Sequence, residues 1–291
     1  MKYDLDIKNL REFNIHHKRK NITIIQPQKG LIALDFQEIW AYRDLLYLLV
    51  WRDIKSRYRQ MALGPLWIVL QPFLTIIIFT VIFGNFAKIP SDGSAYPVFA
   101  YTAFLPWQLF ATATAKSSDS LVNNLPLISK VYFPRLVIPI AAVFVSLVDF
   151  LASFGILLMM MLFYRSYPTL AVLTLPLYLL LAVATSMGVG LWFASLSVKF
   201  RDVSIAVTYI IQLWFYATPV IYPSSMVPEV WRGIFLLNPM AQVVEGFRWA
   251  LLGTGRSPDG ITLASIVLVL ILLVSGAFYF RQTEGSIVDS I

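Results

Sequence analysis

The most prominent feature of the sequence is a series of long apolar runs separated by short polar stretches. Six of these runs approach or exceed the roughly 20 residues that an α-helix needs to cross the hydrocarbon core of a bilayer. They lie at 65–87, 97–115, 136–164, 169–198, 204–222 and 261–280. The pattern predicts an all-α integral membrane protein with six transmembrane helices, which form a domain over residues 62–291.

A further apolar pattern lies between the fifth and sixth predicted spans. It consists of two pieces at 230–237 and 240–252, which are too short to cross a bilayer but suit re-entrant helices. Asn238 is a favourable N-cap, and Pro239 is a favourable first residue of the second helix. We therefore predict a re-entrant helical hairpin at about 228–252. Within it, Glu245 and Arg248 are three residues apart and are able to pair in a partly dry setting.

Residues 35–61 are predicted to form an amphipathic interface helix along the membrane surface. Its apolar stripe comprises Tyr47, Val50, Trp51, Ile54, Tyr58 and Met61, and a basic face carries Arg52, Lys55 and Arg59. Gly64 and Pro65 break this helix, and Pro72 is expected to kink the first span, so these three residues are hinge candidates. A lever that contacts a partner and a static surface helix with a fixed elbow are both consistent with the pattern.

Composition agrees with a membrane location. Of the 291 residues, 58% are hydrophobic and 13% are charged, about half the charged fraction typical of soluble domains. The absence of cysteine excludes disulfides, thiolate metal sites and cysteine nucleophiles, and the two histidines are adjacent in the N-terminal region. We therefore expect neither a metal site nor a catalytic residue.

The distribution of Lys and Arg predicts the orientation of the chain. One side of the predicted membrane carries 18 of these residues, in 1–64, 116–135, 199–203 and the tail after 280, whereas the other side carries five. The positive-inside rule therefore places both termini in the cytoplasm and the hairpin outside. Residues 1–34 would form an N-terminal cytoplasmic arm.

Two connections on the cytoplasmic side are candidates for docking on a soluble subunit. The connection at 116–135 contains Asn124, Lys130 and Arg135, and a shorter one at 199–202 contains Arg201 and Asp202. Mixed polar and aromatic surfaces with arginine are typical of protein interfaces. The alternative is that the basic residues only set the topology.

Asp149 is the one acidic residue far from any predicted span boundary. A charge at that depth costs about 2.5 to 3.5 kcal/mol on insertion scales, which makes Asp149 a functional candidate by default. Protonation, or a hydrogen bond to Ser146 or Thr185, is the alternative. In the fourth span, Ser186, Gly190 and Ala194 with the adjacent Gly188 predict close helix packing.

Aromatic residues within the spans allow two interpretations. They are Tyr101, Phe104 and Trp107 in the second span, and Trp214 and Tyr216 in the fifth. Tyr and Trp favour membrane interfaces. If these rings face a cavity instead, they offer flat apolar surfaces on which sugars stack.

The chain contains no G-x-x-x-x-G-K-[ST] sequence, so it has no Walker loop for ATP phosphates. At the same time, several stretches taken together resemble the permease subunits of type-2 ABC exporters of the polysaccharide (O-antigen) subgroup. The matching stretches are 52–60, 63–67, 70–72, 124–135, 200–202, 218–223, 237–240 and 247–248.

This resemblance implies a homodimer of permease chains in the bacterial inner membrane, with two separate ATP-binding cassette subunits that hold ATP and Mg. The cargo would be a polysaccharide on undecaprenyl diphosphate, exported through a channel at the dimer interface. Arg52, Lys55 and Arg59 are candidates to receive the lipid diphosphate. The residues expected to contact the ATPase subunit are Arg52, Asp53, Lys55, Arg57, Asn124, Lys130, Arg135, Arg201 and Asp202.

The sequence leaves three other functions to compare with polysaccharide export. An exporter of teichoic acid, capsule, lipid or drug in the same superfamily would share the topology. A secondary transporter without an ATPase would be expected to carry more buried ionisable groups. A membrane glycosyltransferase would need an acidic metal-binding cluster, which the sequence does not contain.

Overall fold

The computed structural model describes residues 36–58 and 66–284, and in these ranges the chain is helical with no β-strand. The α-helices are α1 (Phe36–Ala41), α2 (Arg43–Tyr58), α3 (Leu66–Phe79), α4 (Tyr96–Asn123), α5 (Leu125–Ile128), α6 (Val137–Phe163), α7 (Leu175–Lys199), α8 (Val203–Tyr216), α9 (Glu229–Leu237), α10 (Pro239–Leu252) and α11 (Gly260–Glu284). Thr80–Phe86 is π-helical, and Leu170–Thr174 and Ser224–Met226 are short 3₁₀ turns. The predicted arm at 1–34 and the hinge residues Gly64 and Pro65 lie outside the described residues.

Each predicted span overlaps a helix, and both apolar pieces of the predicted hairpin are helical, as α9 and α10. In the described part of the chain, three helices are long and apolar enough to cross a membrane: Val137–Phe163, Leu170–Lys199 and Gly260–Glu284. Leu70–Phe86 and Val203–Tyr216 are shorter apolar helices. These findings establish an all-helical protein with several helices suited to a bilayer.

Helix α4 has 28 residues but is too polar to count among the three. Its central position explains this composition, because α4 packs against α6, α7 and α10. Neighbouring helices rather than lipid therefore cover its polar side chains, and a hydroxyl there is able to bond another helix. The Ser118 hydroxyl, for example, lies 3.2 Å from that of Ser197 on α7. The buried Ser and Thr residues of α4 are Thr102, Thr114, Ser117, Ser118 and Ser120.

Small residues bring α7 close to two neighbours. A Cβ added at Gly190 would lie 2.7 Å from the Ser117 side chain on α4, whereas one at Gly188 would lie 2.9 Å from the Leu273 backbone nitrogen on α11. At the same crossing, Gly276 on α11 lies against the carbonyl oxygen of Gly188. The predicted close packing is therefore present, and the small residues serve two helix crossings rather than one.

Apolar side chains lie on more than one face of α2. Leu49 is buried against the start of α6, and Leu45 and Leu46 pack against the same cluster. By contrast, Tyr47 and Trp51 are 66% and 54% exposed. Because α2 has apolar residues on both faces, periodicity alone does not identify the side that meets the protein. Met61 and the side chain of Tyr58 lie outside the described part.

The bundle has two distinct ends, which we call the α2 end and the hairpin end. At the α2 end, α2 contacts α4 through Arg52 and Asn124, and the backbone N–H of Arg135 is 3.3 Å from the carboxylate of Glu284 at the end of α11. At the hairpin end, the Thr262 hydroxyl of α11 donates to the Gln242 side chain of α10 at 2.8 Å. Helices α4, α7 and α11 connect the two ends.

Asp259 forms the N-cap of α11. Its Oδ1 accepts hydrogen bonds from the backbone N–H groups of Ile261 at 3.0 Å and Thr262 at 3.1 Å, and its other oxygen pairs with Arg256. Burial raises the pKa of Asp259, but the hydrogen bonds from Thr262 and Arg256 outweigh burial and hold the pKa below its ordinary value. Ionised Asp259 therefore stabilises the folded state.

We expect Asp259→Ala to lower the free energy of unfolding by about 1 kcal/mol at pH 7, because the cap is lost. Asp259→Asn should cost less, since an amide oxygen also caps a helix. A group with a lowered folded pKa stabilises above its unfolded pKa, and that contribution is lost as pH falls through the folded pKa. Unfolding of the detergent-solubilised protein should thus show wild type and Asp259→Asn converging at low pH. A difference that stays constant as pH falls well below the ordinary pKa of an aspartate would contradict the assignment.

Candidate functional site

The α2 end contains a polar junction between α2 and α4. Arg52 Nη2 donates to Asn124 Oδ1 at 2.9 Å, and the Asn124 amide in turn donates to the Ser120 carbonyl at 2.8 Å. Arg52 also pairs with Asp53 at 2.8 Å. Three residues predicted for subunit contact therefore lie together, and they fix the position of α2 on the end of α4.

A second junction joins α2, α4 and α6 through three charges. Asp149 Oδ2 on α6 accepts a hydrogen bond from Arg57 Nη1 on α2 and another, at 3.3 Å, from Lys116 Nζ on α4. We call Arg57, Lys116 and Asp149 the ion triad. Its side chains are only 26–33% exposed. The acid predicted to be isolated in the membrane is thus compensated by two cations.

The Ser146 and Thr185 hydroxyls, which the sequence offers as partners for Asp149, donate to other acceptors. The hydroxyls of Ser146 and Thr185 donate to backbone carbonyls of their own helices, at 3.1 Å and 2.7 Å. Sequence reasoning missed Lys116 because the second span was predicted to end at residue 115. Helix α4 continues to Asn123, and this extension brings Lys116 alongside α6.

A cavity of about 470 Å³ lies between α3, α4 and α6 and includes the ion triad in its wall. Its lining residues on α4 recur every three or four positions, from Tyr101 to Lys116. At about 1.5 Å per residue, this face runs for roughly 22 Å along the helix. The wall changes in character along that face, from charged through amide and hydroxyl to aromatic. Its main polar and aromatic residues beyond the triad are Trp67, Gln71, Tyr101, Phe104, Gln108 and Thr112.

The five aromatic candidates do not converge on one surface. Tyr101 and Phe104 line the cavity, where the Tyr101 hydroxyl donates to the Ser153 carbonyl at 3.1 Å. Trp107 is 3% exposed and packs inside the core against Phe110 and Phe215. Trp214 bonds the hairpin, and Tyr216 is 60% exposed.

Asn238 caps α10 as predicted, with its Oδ1 accepting from the Met240 backbone N–H at 3.0 Å. The same oxygen accepts from Trp214 Nε1 at 2.9 Å, and the Asn238 amide donates to the Thr218 hydroxyl at 3.0 Å. Pro239 is the first residue of α10 and is buried. One side chain therefore begins the hairpin's second helix and holds the end of α8 against it.

Glu245 and Arg248 form an ion pair at 3.3 Å, with side chains 3% and 1% exposed. The Ser224 hydroxyl donates to Glu245 at 2.9 Å, and Arg248 donates to the Val220 carbonyl at 2.9 Å. The Arg248 guanidinium carbon lies 3.7 Å from the centre of the Phe99 ring. The pair thus ties α10 to α4 and to the segment that follows α8.

The remaining candidates for subunit contact differ in exposure. Lys55, Lys130, Arg201 and Asp202 are exposed at the α2 end. Arg135 is partly buried and donates to the carbonyl of Glu284, which limits its reach. Pro72 lies within α3 and lines the cavity, whereas Arg59 lies outside the described residues. Across the described ranges, no group of three or more His, Cys, Asp and Glu residues is placed to hold a metal ion.

Comparison with known proteins identifies the family. The sequence profile of the ABC-2 type transporter family matches residues 44–252, which is most of the chain. The chain belongs to this family. The matched range extends from α2 to α10, so the ion triad, the cavity and the hairpin all lie within the ABC-2 domain.

Several relatives of this ABC-2 protein are named for polysaccharide transport. It is 32% identical over 255 residues to the O-antigen export system permease protein RfbA of Myxococcus xanthus, covering 85% of this chain and 96% of the relative. An RfbA of Klebsiella pneumoniae is 34% identical over 70% of this chain and 79% of its own length. The polysialic acid transport protein KpsM of Escherichia coli is 23% identical over 82% of this chain and 93% of its own length.

Proposed function

We propose that the chain is the permease subunit of an ATP-driven exporter that moves O-antigen-like polysaccharide, linked to undecaprenyl diphosphate, across the bacterial inner membrane. The observation that carries this proposal is the identity of 30–34% with O-antigen export permeases over most of the chain. The weaker similarity to KpsM supports polysaccharide cargo in general and makes capsule export the second candidate.

The proposed topology has six spans, with both termini in the cytoplasm and the α9–α10 hairpin entering the membrane from outside. The three long apolar helices support it directly. The central position of α4 accounts for its polarity, and the excess of Lys and Arg at the α2 end supports a cytoplasmic location for that end. Two copies of the chain would enclose the polysaccharide path.

ATP hydrolysis is assigned to two separate ATP-binding cassette subunits, which would hold ATP and Mg. This assignment follows from family membership and from the absence of a Walker loop in the sequence. The exposed residues at the α2 end would contact those subunits: Lys55, Lys130, Arg201 and Asp202.

The two junctions supply a route for coupling. A nucleotide changes the membrane helices only if the contacts of the ATPase subunit differ between its nucleotide states. Arg52 connects α2 to α4, and Arg57 connects α2 to α6. A displacement of α2 by the ATPase subunit would therefore act on the end of α4 and on the middle of α6, two helices that line the cavity.

Co-purification with a candidate ATP-binding cassette subunit, co-expressed with this chain, tests the proposal. We expect a complex of two permease and two ATPase chains, and roughly tenfold weaker association in Lys130→Glu and Arg201→Glu, because each reverses an exposed charge in the proposed contact. Arg165→Glu, a matched change at the hairpin end, should leave association intact. Equal recovery of the ATPase subunit with all three variants would contradict the proposed interface.

A further inference from the structure

The ion triad and its cavity have properties that the coupling role of α2 does not require. Two cations from different helices meet at one carboxylate oxygen, and their side chains form part of a cavity wall. A purely structural ion pair needs neither the second cation nor the cavity. We propose that Arg57 and Lys116 bind the diphosphate of the lipid carrier, and that Asp149 occupies this anion site when the lipid is absent. This inference rests on the proposed function.

The geometry of the cations suits a diphosphate. Because both groups contact the single atom Asp149 Oδ2, they are close enough to contact neighbouring oxygens of one anion. A guanidinium presents paired N–H donors that match phosphate oxygens, and an ammonium adds a compact charge. The charged side chains in this cavity wall are Arg57, Lys116 and Asp149, with a net charge of +1.

The two other aspartates near Arg57 and Lys116 do not line this cavity. Asp53 and Asp119 line a separate cavity on the other side of Arg57 and Lys116. Asp53 is moreover paired with Arg52. The carboxylate that an incoming diphosphate must displace is therefore that of Asp149.

The order of residues along the cavity favours a lipid-linked sugar over a soluble anion. Along α4, Lys116 is followed by Thr112 and Gln108, whose side chains suit sugar hydroxyls, and then by the rings of Phe104 and Tyr101. On the opposite wall, α3 contributes Trp67, Gln71 and Pro72, and its outer face is apolar and exposed. A diphosphate at the ion triad would thus place the attached sugars against amides and rings, with the lipid chain beside α3.

The test measures binding of undecaprenyl diphosphate to the full chain in lipid nanodiscs. Arg57→Gln and Lys116→Gln are each expected to raise the dissociation constant roughly tenfold, since each removes a charged hydrogen-bond donor. Asp149→Asn is expected to leave binding unchanged or tighter, because it removes the competing carboxylate. Arg165→Gln and Lys88→Gln change exposed cations of the same types and should bind like wild type.

Opposite effects at Arg57 and Asp149 distinguish a ligand site from a structural cluster. If Asp149→Asn weakens binding as much as Arg57→Gln does, the triad is structural and the proposal is overturned. Undecaprenol, which has no phosphate, should not compete, and inorganic pyrophosphate should compete only weakly. Pyrophosphate binding as tight as that of the lipid would overturn the lipid assignment.

If the glutamine variants fail to fold, a second measurement tests the site without changing the ion triad. A photoreactive phenylalanine at Gln108, with the ion triad intact, should cross-link undecaprenyl diphosphate in the cavity, and absence of the adduct would overturn the proposal. Failure of the site is separable from failure of the proposed function. Lipid binding that ignores Arg57 and Lys116 contradicts the site alone, whereas a wild-type chain that neither binds the lipid nor recruits an ATPase contradicts both.

Discussion

Arg248→Met is expected to lower the free energy of unfolding by about 3–5 kcal/mol, the largest single effect that the structure predicts, because it leaves a buried carboxylate without its cation. Arg248 is 1% exposed, and its partner Glu245 is 3% exposed. The substitution also removes a donor to the Val220 carbonyl and the contact with the Phe99 ring. SDS titration of the purified protein in detergent micelles would measure the loss.

The same hairpin offers a matched control for this prediction. Glu229 and Arg232 on α9 have the same spacing, but Glu229 is 89% exposed, and the distance from Arg232 Nη1 to Glu229 Oε1 is 4.0 Å. Arg232→Met should therefore cost less than about 1 kcal/mol. The double variant Glu245→Met/Arg248→Met should recover part of the loss, since neither partner then remains as a buried lone charge. Similar losses for Arg232→Met and Arg248→Met would show that burial of the pair is not what stabilises the hairpin.

Gly276→Ala should destabilise the protein by about 1–3 kcal/mol, because it forces α7 and α11 apart. The added Cβ would lie 2.5 Å from the Gly188 carbonyl oxygen, and a backbone atom in the middle of a helix cannot move away as a flexible side chain can. Gly188→Ala tests the same crossing from the other side, where the new Cβ would meet the Leu273 backbone. The same SDS titration is the measurement.

The control for this prediction is Gly155→Ala on α6. Nothing lies within 4 Å of a Cβ added at Gly155, so the substitution should be neutral or stabilise the helix by up to about 1 kcal/mol. The expected signs are therefore opposite for the same chemical change. Equal effects at Gly155 and Gly276 would mean that the close approach of α7 and α11 does not govern stability.

Local features of the fold were predictable from sequence. The helices begin near the predicted positions, because each apolar run is bounded by polar or helix-breaking residues, whereas the ends of α4 and α8 were missed by six to eight residues. The cap at Asn238 depends on a bond to a residue two positions away, and the Glu245–Arg248 pair lies within one turn of a helix. Such contacts follow from spacing along the chain.

Contacts between helices were not predictable in the same way. Lys116 and Asp149 are 33 residues apart, and Arg57 and Asp149 are 92 apart, on helices whose relative register one sequence does not define. The face by which α2 packs against the protein was not predictable, since this helix is apolar on both sides and the choice depends on the surface offered by α6. Trp107 looks like a candidate for sugar stacking in sequence, but two neighbouring rings enclose it in the core.

We propose that this ABC-2 protein couples ATP hydrolysis by a partner subunit to export of a lipid-linked polysaccharide. The decisive measurement is ATP turnover by the complex of this chain and its ATP-binding cassette subunit, reconstituted in lipid with and without the glycan lipid. We expect a stable complex whose hydrolysis rate changes when lipid-linked polysaccharide is added. A chain that purifies without any ATPase subunit, or a complex whose turnover is indifferent to the glycan lipid, would contradict it.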